Sequence, residues 1–323
     1  MSPVTPGSLY IIFMKTKHLL IDAKNMLYRA VYVAAYDKAF QKSGHHNVNI
    51  VLHFLSDFMN KFKPEQVHIF WDSPRNNTWR KEIEPTYKDG RGGNSKISDS
   101  DLGDSINNLT EVCTFLFRNM GIKQYYRDNM EADDLIYAFC KINSPDDIAI
   151  ASSDTDLLQI PYRYPNVKVH SHLSKEKLLF EEVPEVDPVI LKCFVGDKSD
   201  NLPGYYRVGP VKAKVLTEDI EERDKFFKSD KAVAKVDGEI KRAGVDRFKK
   251  NLLMIDLSLC PHLLDNMMHV SRRQFKPIKF DLKAIRELIS KYKLRGVTAD
   301  ISRYIAPFKK LVRDSNASRN SYS

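Results

Sequence analysis

The sequence predicts an α/β fold with a central, mostly parallel sheet, followed by a mainly helical C-terminal region. Short apolar runs alternate with amphipathic stretches over the first half of the chain, which is typical of strands joined by crossover helices. Beyond residue 187, the pattern changes to helical segments separated by glycine-containing turns. With 323 residues, 42% of them hydrophobic, the chain is long enough to bury a substantial core.

The first half of the chain supplies the strands and helices of the predicted sheet in alternation. Apolar runs predict strands, and the 3.6-residue spacing predicts helices. In chain order we expect a strand over 18–21, a helix over 48–62, a strand over 66–71, a helix over 106–119, a strand over 122–126, a helix over 132–142 and a strand over 147–151. Residues 73–104 are polar with few aliphatic side chains, and we expect them to leave the domain as a mobile excursion.

Charge and cysteine usage narrow the class of protein. Residues 1–200 carry a net charge of −3 and residues 201–323 a net charge of +12, which suits an enzyme acting on a polyanion but also fits a solvated lysine-rich surface. The four cysteines are widely spaced without a CxxC pair, so neither a zinc site nor a disulfide framework is predicted, and a reducing compartment is expected. The apolar run Leu9–Met14 is too short to span a membrane, and no export signal precedes it.

Nine carboxylates lie at or near the ends of the apolar runs. In an open α/β sheet, side chains that follow the carboxyl ends of the strands meet in one crevice, where like charges repel unless divalent cations neutralise them. Oxygen ligands suit magnesium or manganese. Taken one at a time, these acids also have structural explanations as helix caps, first-turn acids or turn residues. The set is Asp22, Asp72, Glu131, Asp133, Asp134, Asp154, Asp156, Asp197 and Asp200.

Five short motifs containing these acids resemble, in order and spacing, those of the flap endonuclease/5′-3′ exonuclease family. They are Leu20-Ile21-Asp22, Trp71-Asp72-Ser73, Glu131-Ala132-Asp133-Asp134, Ser153-Asp154-Thr155-Asp156 and Gly196-Asp197-Lys198-Ser199-Asp200-Asn201. The likeness covers roughly residues 15–260 and is greatest to the bacteriophage enzymes of the T-even phage RNase H type, which share a segment similar to Arg247–Asp256.

This resemblance implies a domain plan and a chemistry. It implies a PIN-like 5′ nuclease domain over 15–187 with a helical arch over about 73–118, and a C-terminal domain over 188–313 with a helix-hairpin-helix motif, between an N-terminal extension (1–14) and a disordered tail (314–323). The nine carboxylates would bind two Mg²⁺ ions, with Mn²⁺ as a substitute, and cleavage would leave a 5′-phosphate and a 3′-hydroxyl. The catalytic groups implied are Lys88, Asp133, Asp154 and Asp156.

The same resemblance implies two nucleic-acid contacts. Tyr87-Lys88-Asp89-Gly90-Arg91 is similar to the family's motif at the base of the arch, where Tyr87 would stack on a base while Arg80, Lys88 and Arg91 contact phosphate. The hairpin would bind duplex through Gly204, Arg207, Gly209, Lys212 and Lys214. The Arg272-Arg273 pair either extends that surface or is simply solvated. Many relatives have the first hairpin glycine where this chain has Arg207. The resemblance therefore leaves two alternatives at the hairpin, a potassium ion as the family often has or direct phosphate contact by Arg207.

The resulting prediction is a structure-specific 5′ nuclease that removes 5′ flaps or RNA primers in DNA replication. Its substrates would be branched DNA and RNA/DNA hybrid, its partners a sliding clamp and a single-stranded-DNA-binding protein, and its form a monomer in a bacterial host cytoplasm. A PIN-like ribonuclease and a noncatalytic protein that binds branched DNA are the alternatives. His170 and His172 are predicted to be exposed structural histidines, since no third zinc ligand lies nearby.

Overall fold

The computed structural model describes residues 16–36, 46–74, 77–89, 99–170, 183–218, 243–261, 280–292, 294, 301–302, 304–309 and 311. The N-terminal extension, the tail, Arg91, His172, the Arg272-Arg273 pair and residues 75–76 and 90–98 of the predicted excursion lie outside these residues.

Five parallel strands form the central sheet, which confirms the predicted fold class. They are β1 (His18–Asp22), β2 (Gln66–Phe70), β3 (Lys123–Tyr125), β4 (Ile148–Ala151) and β5 (Val167–His170), and they lie in the order β3-β2-β1-β4-β5. The first three strands progress toward one edge and the last two toward the other. The reversal occurs between β1 and β4, so the crevice at their carboxyl ends is the expected ligand position.

Side-chain alternation along the strands builds a core on each face of the sheet. Leu19 and Ile21 of β1 belong to the core that also contains helices α1 (Ala23–Tyr36), α2 (His46–Phe62) and α4 (Asp99–Asn119). Leu20, between them, faces the second core with helix α5 (Ala132–Ile142). Because both faces are covered, all five residues of β1 are buried, as in other parallel sheets.

The remaining helices are short and belong mainly to the C-terminal half. They are α3 (Trp79–Ile83), α6 (Gln159–Arg163), α7 (Pro188–Val195), α8 (Pro210–Glu218), α9 (Ala243–Ile255) and α10 (Leu282–Lys291). A two-residue antiparallel pair, β6 (Gly196–Asp197) with β7 (Leu202–Pro203), connects α7 to the segment before α8.

The predicted C-terminal domain contributes to two different cores. Helices α7, α8 and α9 form a third core around Phe194 and Phe248, and Tyr87 joins it. Helix α10, in contrast, packs through Ile285 and Leu288 into the core of α1, α2 and α4, so the end of the described chain returns to the sheet.

His170 differs from the predicted exposed histidine. Its ring is buried in the core at the end of β5, in edge contact with Phe58 and Phe62. The Lys61 ammonium lies 2.7 Å from its Nε2 atom. Among the described residues, no helix is long and apolar enough to span a membrane, and the four cysteines are free and buried.

Candidate active site

Asp22 ends β1 at the point where the strand order reverses. Its Oδ1 accepts a hydrogen bond from the Asn25 backbone N–H (3.0 Å), and its Oδ2 accepts one from the Ser152 hydroxyl (3.2 Å). Ser152 follows β4, and its hydroxyl also accepts from the Asp154 N–H (3.1 Å). Asp22 and Asp154, 132 positions apart in the sequence, are therefore held on the same rim, as the strand-end pattern predicted.

A first carboxylate group, Glu131, Asp133 and Asp134, lies at the start of α5 with ligand oxygens within 4.8 Å of one another. Asp72, which follows β2, connects to it because the Ala132 N–H donates to Asp72 Oδ1 (2.7 Å). The Lys24 ammonium lies 3.5 Å from Asp72 Oδ2. The acids after β2 and before α5 thus share one rim, which their separate positions in the sequence did not guarantee.

The Asp134 carboxylate is occupied by hydrogen bonds from neighbouring residues. It is fully buried, it accepts two hydrogen bonds from Arg80 (3.0 and 2.9 Å) and one from Trp79 Nε1 (3.1 Å), and Oδ2 also accepts from the Glu131 N–H. Both oxygens of Asp134 therefore already have donors, and because its side chain is 0% exposed, neither oxygen faces the crevice. The Glu131 oxygens also have donors, but its side chain is 8% exposed.

Arg80 differs from its predicted role as a phosphate contact. A phosphate contact requires an exposed guanidinium, but Arg80 is 1% exposed. Its Nη1 donates to Glu131 Oε2 (2.7 Å), and its Nε donates to the Met254 carbonyl (2.8 Å), in addition to the bonds to Asp134. Arg80 instead positions the first carboxylate group and ties it to α9.

Tyr87 also differs from its predicted role. A base-stacking residue must expose its ring, whereas Tyr87 is 2% exposed and lies in the third core. Its hydroxyl lies 3.1 Å from Glu131 Oε2 and 3.0 Å from Asp200 Oδ2. It therefore links the first carboxylate group to the second.

Lys88 reaches the site through an uncommon backbone conformation. It has φ 58°, in the left-handed region, and its N–H donates to the Asp200 carbonyl (3.0 Å). Its ammonium lies 2.5 Å from Glu131 Oε1. Burial disfavours the charged ammonium, but Glu131, Asp200 and Asp133 outweigh that effect and raise the pKa of Lys88. Lys88 is thus a fixed cation at the mouth of the first group, in a conformation held by its surroundings.

The second carboxylate group is Asp156, Asp197 and Asp200, again with ligand oxygens within 4.8 Å. Asp197 Oδ1 accepts from the Ser199 N–H (2.7 Å) and the Asp200 N–H (3.2 Å), the turn geometry that the sequence allowed. The Lys192 ammonium of α7 contacts Asp156 Oδ1 and lies 2.5 Å from Asp197 Oδ2.

The electrostatics of the rim favour added positive charge. Burial, and then the charge of Asp72, raise the pKa of Asp22 to about 7. Burial and the charge of Asp154 raise the pKa of Asp156 to about 6, although Lys192 acts in the opposite direction. Burial also raises the pKa of Asp133 well above its ordinary value. Carboxylates that resist ionisation together are suited to divalent cations, and the ammoniums of Lys88 and Lys192 already pair with these groups. The donor set therefore fits Mg²⁺ or Mn²⁺.

The hairpin beyond the second group is shaped by close backbone packing. A Cβ on Gly204 would lie 2.0 Å from the Val195 carbonyl oxygen, so the absence of a side chain allows this segment to pack closely against the end of α7. Gly209, in contrast, has open space beside it. Arg207 keeps the left-handed conformation that glycine favours (φ 59°) and lies over the Tyr206 ring, which is 83% exposed.

The two predicted lysines of α8 differ in their surroundings. Lys212 is exposed, and the Lys214 ammonium lies 2.5 Å from Glu185. Arg207, Gly209 and Lys212 thus form an accessible surface that follows the second carboxylate group in the chain.

Sequence reasoning missed three positioning residues. Asn25 and Ser152 orient Asp22, and Asn25 Oδ1 also accepts from the Ser153 N–H (3.2 Å). Lys192 lies five positions before Asp197 on the preceding helix. The serine and asparagine beside acidic motifs were the available signal, whereas a lysine on a helix gave none.

Oxygen-only clusters at the carboxyl ends of a parallel sheet suit enzymes that use divalent cations on phosphate esters. A family model described as "5′-3′ exonuclease, N-terminal resolvase-like domain" matches residues 17–185. That is more than half of the chain, and the chain therefore belongs to the 5′-3′ exonuclease family.

Individual relatives agree with this assignment. The chain is 28% identical over 301 residues to a 5′-3′ exonuclease of Mycoplasma pneumoniae, covering 88% of this chain and 98% of that protein. It is 30% identical over 210 residues to DNA polymerase I of Streptococcus pneumoniae (strain R6), covering 60% of this chain. The chain spans only 23% of that polymerase's length.

A solved structure shows the same fold at low sequence identity. It is a pseudo-enzyme–product complex of the bacteriophage T5 D15 flap endonuclease with DNA and metal ions. It matches with a TM-score of 0.58 at 15% identity, covering 86% of this chain and 99% of that one.

Proposed function

We propose that this protein is a magnesium-dependent, structure-specific 5′ nuclease that removes 5′ flaps and RNA primers, as 5′-3′ exonuclease, flap endonuclease and RNase H, in DNA replication. The observation that carries the proposal is the pairing of two carboxylate groups through one tyrosine. Glu131 and Asp200 share the Tyr87 hydroxyl, with Lys88 at the mouth. Two adjacent oxygen clusters with a fixed cation suit in-line phosphodiester hydrolysis.

The carboxylates divide into two proposed ligand sets. Glu131 and Asp133 would hold one ion, and the second group would hold the other, with Asp22, Asp72 and Asp154 completing the rim between them. Bound ions would polarise the scissile phosphate, activate a water molecule and stabilise the leaving oxygen. Asp134 is assigned a positioning role, because its side chain is 0% exposed and its oxygens accept hydrogen bonds from Arg80 and Trp79.

Lys88 is the proposed catalytic cation. Its ammonium is 18% exposed and paired with Glu131, so it stays charged and can face a phosphate that enters the crevice. Because Lys88 is held by a left-handed backbone and by its hydrogen bond to Asp200, it needs little reorganisation when negative charge develops on the phosphate. Tyr87 supports this arrangement from inside the core.

Duplex DNA is proposed to bind at the hairpin. Arg207, Gly209 and Lys212 are accessible there, and the C-terminal part of the chain carries the positive charge. Contacts of this kind read phosphate and shape, not base sequence. The T5 D15 flap endonuclease, of the same fold, is described in complex with DNA and metal ions.

The remaining parts of the proposal rest on the resemblance to phage nucleases. They are a bacteriophage origin, action as a monomer in the bacterial host cytoplasm, activity on RNA/DNA hybrid as well as flapped DNA, and partnership with a sliding clamp and a single-stranded-DNA-binding protein.

Cleavage of a 5′-labelled flap duplex tests the proposal. We expect magnesium-dependent cutting near the flap junction by the unaltered protein, and at least a hundredfold slower cutting by Asp154→Asn. Asp57→Asn, a change in an exposed acid of helix α2 outside the predicted arch, is the matched control and should cut normally. Binding without cutting would favour the noncatalytic alternative, and cutting of single-stranded RNA in preference to flaps would favour a PIN-like ribonuclease.

A further inference from the structure

Lys192 occupies the second carboxylate group. Its ammonium contacts Asp156 Oδ1 and lies 2.5 Å from Asp197 Oδ2, and its side chain is 23% exposed. These are carboxylates to which the proposed function assigns a divalent ion. One lysine therefore pairs with two of the group's three acids, and its single positive charge offsets part of their negative charge.

The protein holds this ammonium in place from the helix side. Helix α7 begins at the Asp187 cap, whose Oδ1 accepts from the Val189 N–H (2.8 Å), and ends at Gly196, whose N–H donates to the Lys192 carbonyl. Its neighbour Cys193 is fully buried. The crevice-facing position of Lys192 is thus set by a capped helix.

A divalent ion and an ammonium compete for the same oxygens. Asp156 and Asp197 offer their charge to whichever cation is present, and two cations a few ångströms apart repel each other. Binding of the ion at this group consequently requires the Lys192 ammonium to break its contact with Asp156, with Asp197 or with both.

We propose that Lys192 is a built-in counter-cation, which pairs with Asp156 and Asp197 before the divalent ion binds and releases at least one of them when it does. This inference rests on the proposed function, because that proposal places the ion at the second group. It makes Lys192 a positioning residue that sets how tightly the ion binds.

A manganese titration of the metal-free, DNA-free full chain tests the exchange, with free Mn²⁺ measured by electron paramagnetic resonance. Lys192→Met removes the competing charge while keeping most of the side-chain volume, and we expect the weaker-bound Mn²⁺ to bind at least about tenfold more tightly. Lys192→Arg keeps the charge and should stay within about threefold of the unaltered protein. A merely structural loss would weaken binding, so the direction of the change is diagnostic.

Lys198→Met is the matched control. Lys198 is exposed in the turn between Asp197 and Asp200, so this variant removes the same charge close to the same group without the buried contact. We expect its Mn²⁺ affinity to change by less than about threefold. Unchanged or weaker binding in Lys192→Met, or equal tightening in both methionine variants, would overturn the proposal.

Amine labelling of the unaltered chain tests the same exchange even if Lys192→Met does not fold. With Mn²⁺ present, acetylation of Lys192 measured by peptide mass spectrometry should rise at least about threefold, while that of Lys198 stays constant. Equal or lower labelling of Lys192 with Mn²⁺ would contradict release. Such a result alongside normal flap cutting would reject the exchange alone, whereas absence of magnesium-dependent cutting would reject the proposed function.

Discussion

Replacing Arg80 by methionine tests whether this residue is structural or contacts nucleic acid. The substitution keeps much of the apolar stem but removes the guanidinium from Glu131, Asp134 and the Met254 carbonyl. We expect a large loss in the free energy of unfolding, because two carboxylates and a carbonyl would remain buried without their shared donor.

The magnitude follows from the distances. At an effective dielectric constant of about 20, ion pairs of 2.7 and 2.9 Å each contribute about 6 kcal/mol of gross attraction. Desolvation of the three buried charges offsets much of this, and removal of one partner from a buried pair typically costs about 3–5 kcal/mol. The lost hydrogen bond to Met254 adds to the cost, so we expect a decrease of about 4 kcal/mol.

Urea unfolding in EDTA, followed by circular dichroism, measures this change. Arg207→Met, an exposed arginine change on the hairpin, is the control and should alter the free energy of unfolding by less than about 0.5 kcal/mol. The double variant Arg80→Met/Asp134→Leu should recover part of the loss, since it removes an uncompensated buried charge. A loss below about 1 kcal/mol in Arg80→Met, together with weaker flap-DNA binding, would refute the structural role.

Three further predictions concern the site and the hairpin. Lys88→Ala should slow flap cleavage at least a hundredfold. DNA affinity, measured by fluorescence anisotropy with Ca²⁺, should change less than about threefold. Equal losses in cleavage rate and in DNA affinity would contradict a catalytic role. Because the folded-state pKa of Asp22 is raised from 3.8 to about 7, chiefly by burial, its contribution to stability is present below about pH 4 and is lost as the pH rises through 7. Asp22→Asn should therefore be more stable than the unaltered protein to urea at pH 8 in EDTA by at least about 1 kcal/mol, but not at pH 4; equal stability at pH 8 would refute this. Arg207→Gly should stabilise the fold by about 1 kcal/mol, because Arg207 is left-handed (φ 59°), yet weaken duplex binding by anisotropy; unchanged affinity would remove Arg207 from the DNA surface.

Four of the five strands were predictable from the sequence because their signals are local, whereas no bounds were predicted for β5 or for helix α1. Apolar strands covered by helices on both faces show as short continuous runs, and the acids that end them share a rim for topological reasons. The predicted helix over 132–142 has the observed bounds, and each of the four predicted strands agrees with the observed one to within one residue at either end. Only α4 begins well before its predicted start, at Asp99, in a polar stretch with little apolar periodicity.

The side-chain roles that sequence reasoning misassigned depend on contacts between distant segments. Arg80 lies in a polar stretch, and nothing local indicates that the Met254 carbonyl, 174 residues later, will accept from it. The hydroxyl of Tyr87 reaches Asp200, 113 residues away, so a residue that looked suitable for stacking became part of a core. His170 is buried for the same reason, by aromatic rings of α2.

Lys192 is a residue whose contribution to the site was not indicated by the sequence. Its motif neighbours are acids that the sequence identifies readily, but a lysine in a helix is usually solvated. Only the end of α7, fixed by Gly196 with φ 79° and by close packing against Gly204, directs the ammonium into the crevice. Tertiary geometry, not residue type, sets that role.

Anomalous diffraction from crystals soaked in Mn²⁺ tests the central claim most directly. The account predicts one manganese peak beside Glu131 and Asp133 and a second beside Asp156, Asp197 and Asp200, with Asp134 still bonded to Arg80. Peaks confined to other surfaces, or none at either carboxylate group at saturating manganese, would contradict the assignment of this rim as a two-ion nuclease centre.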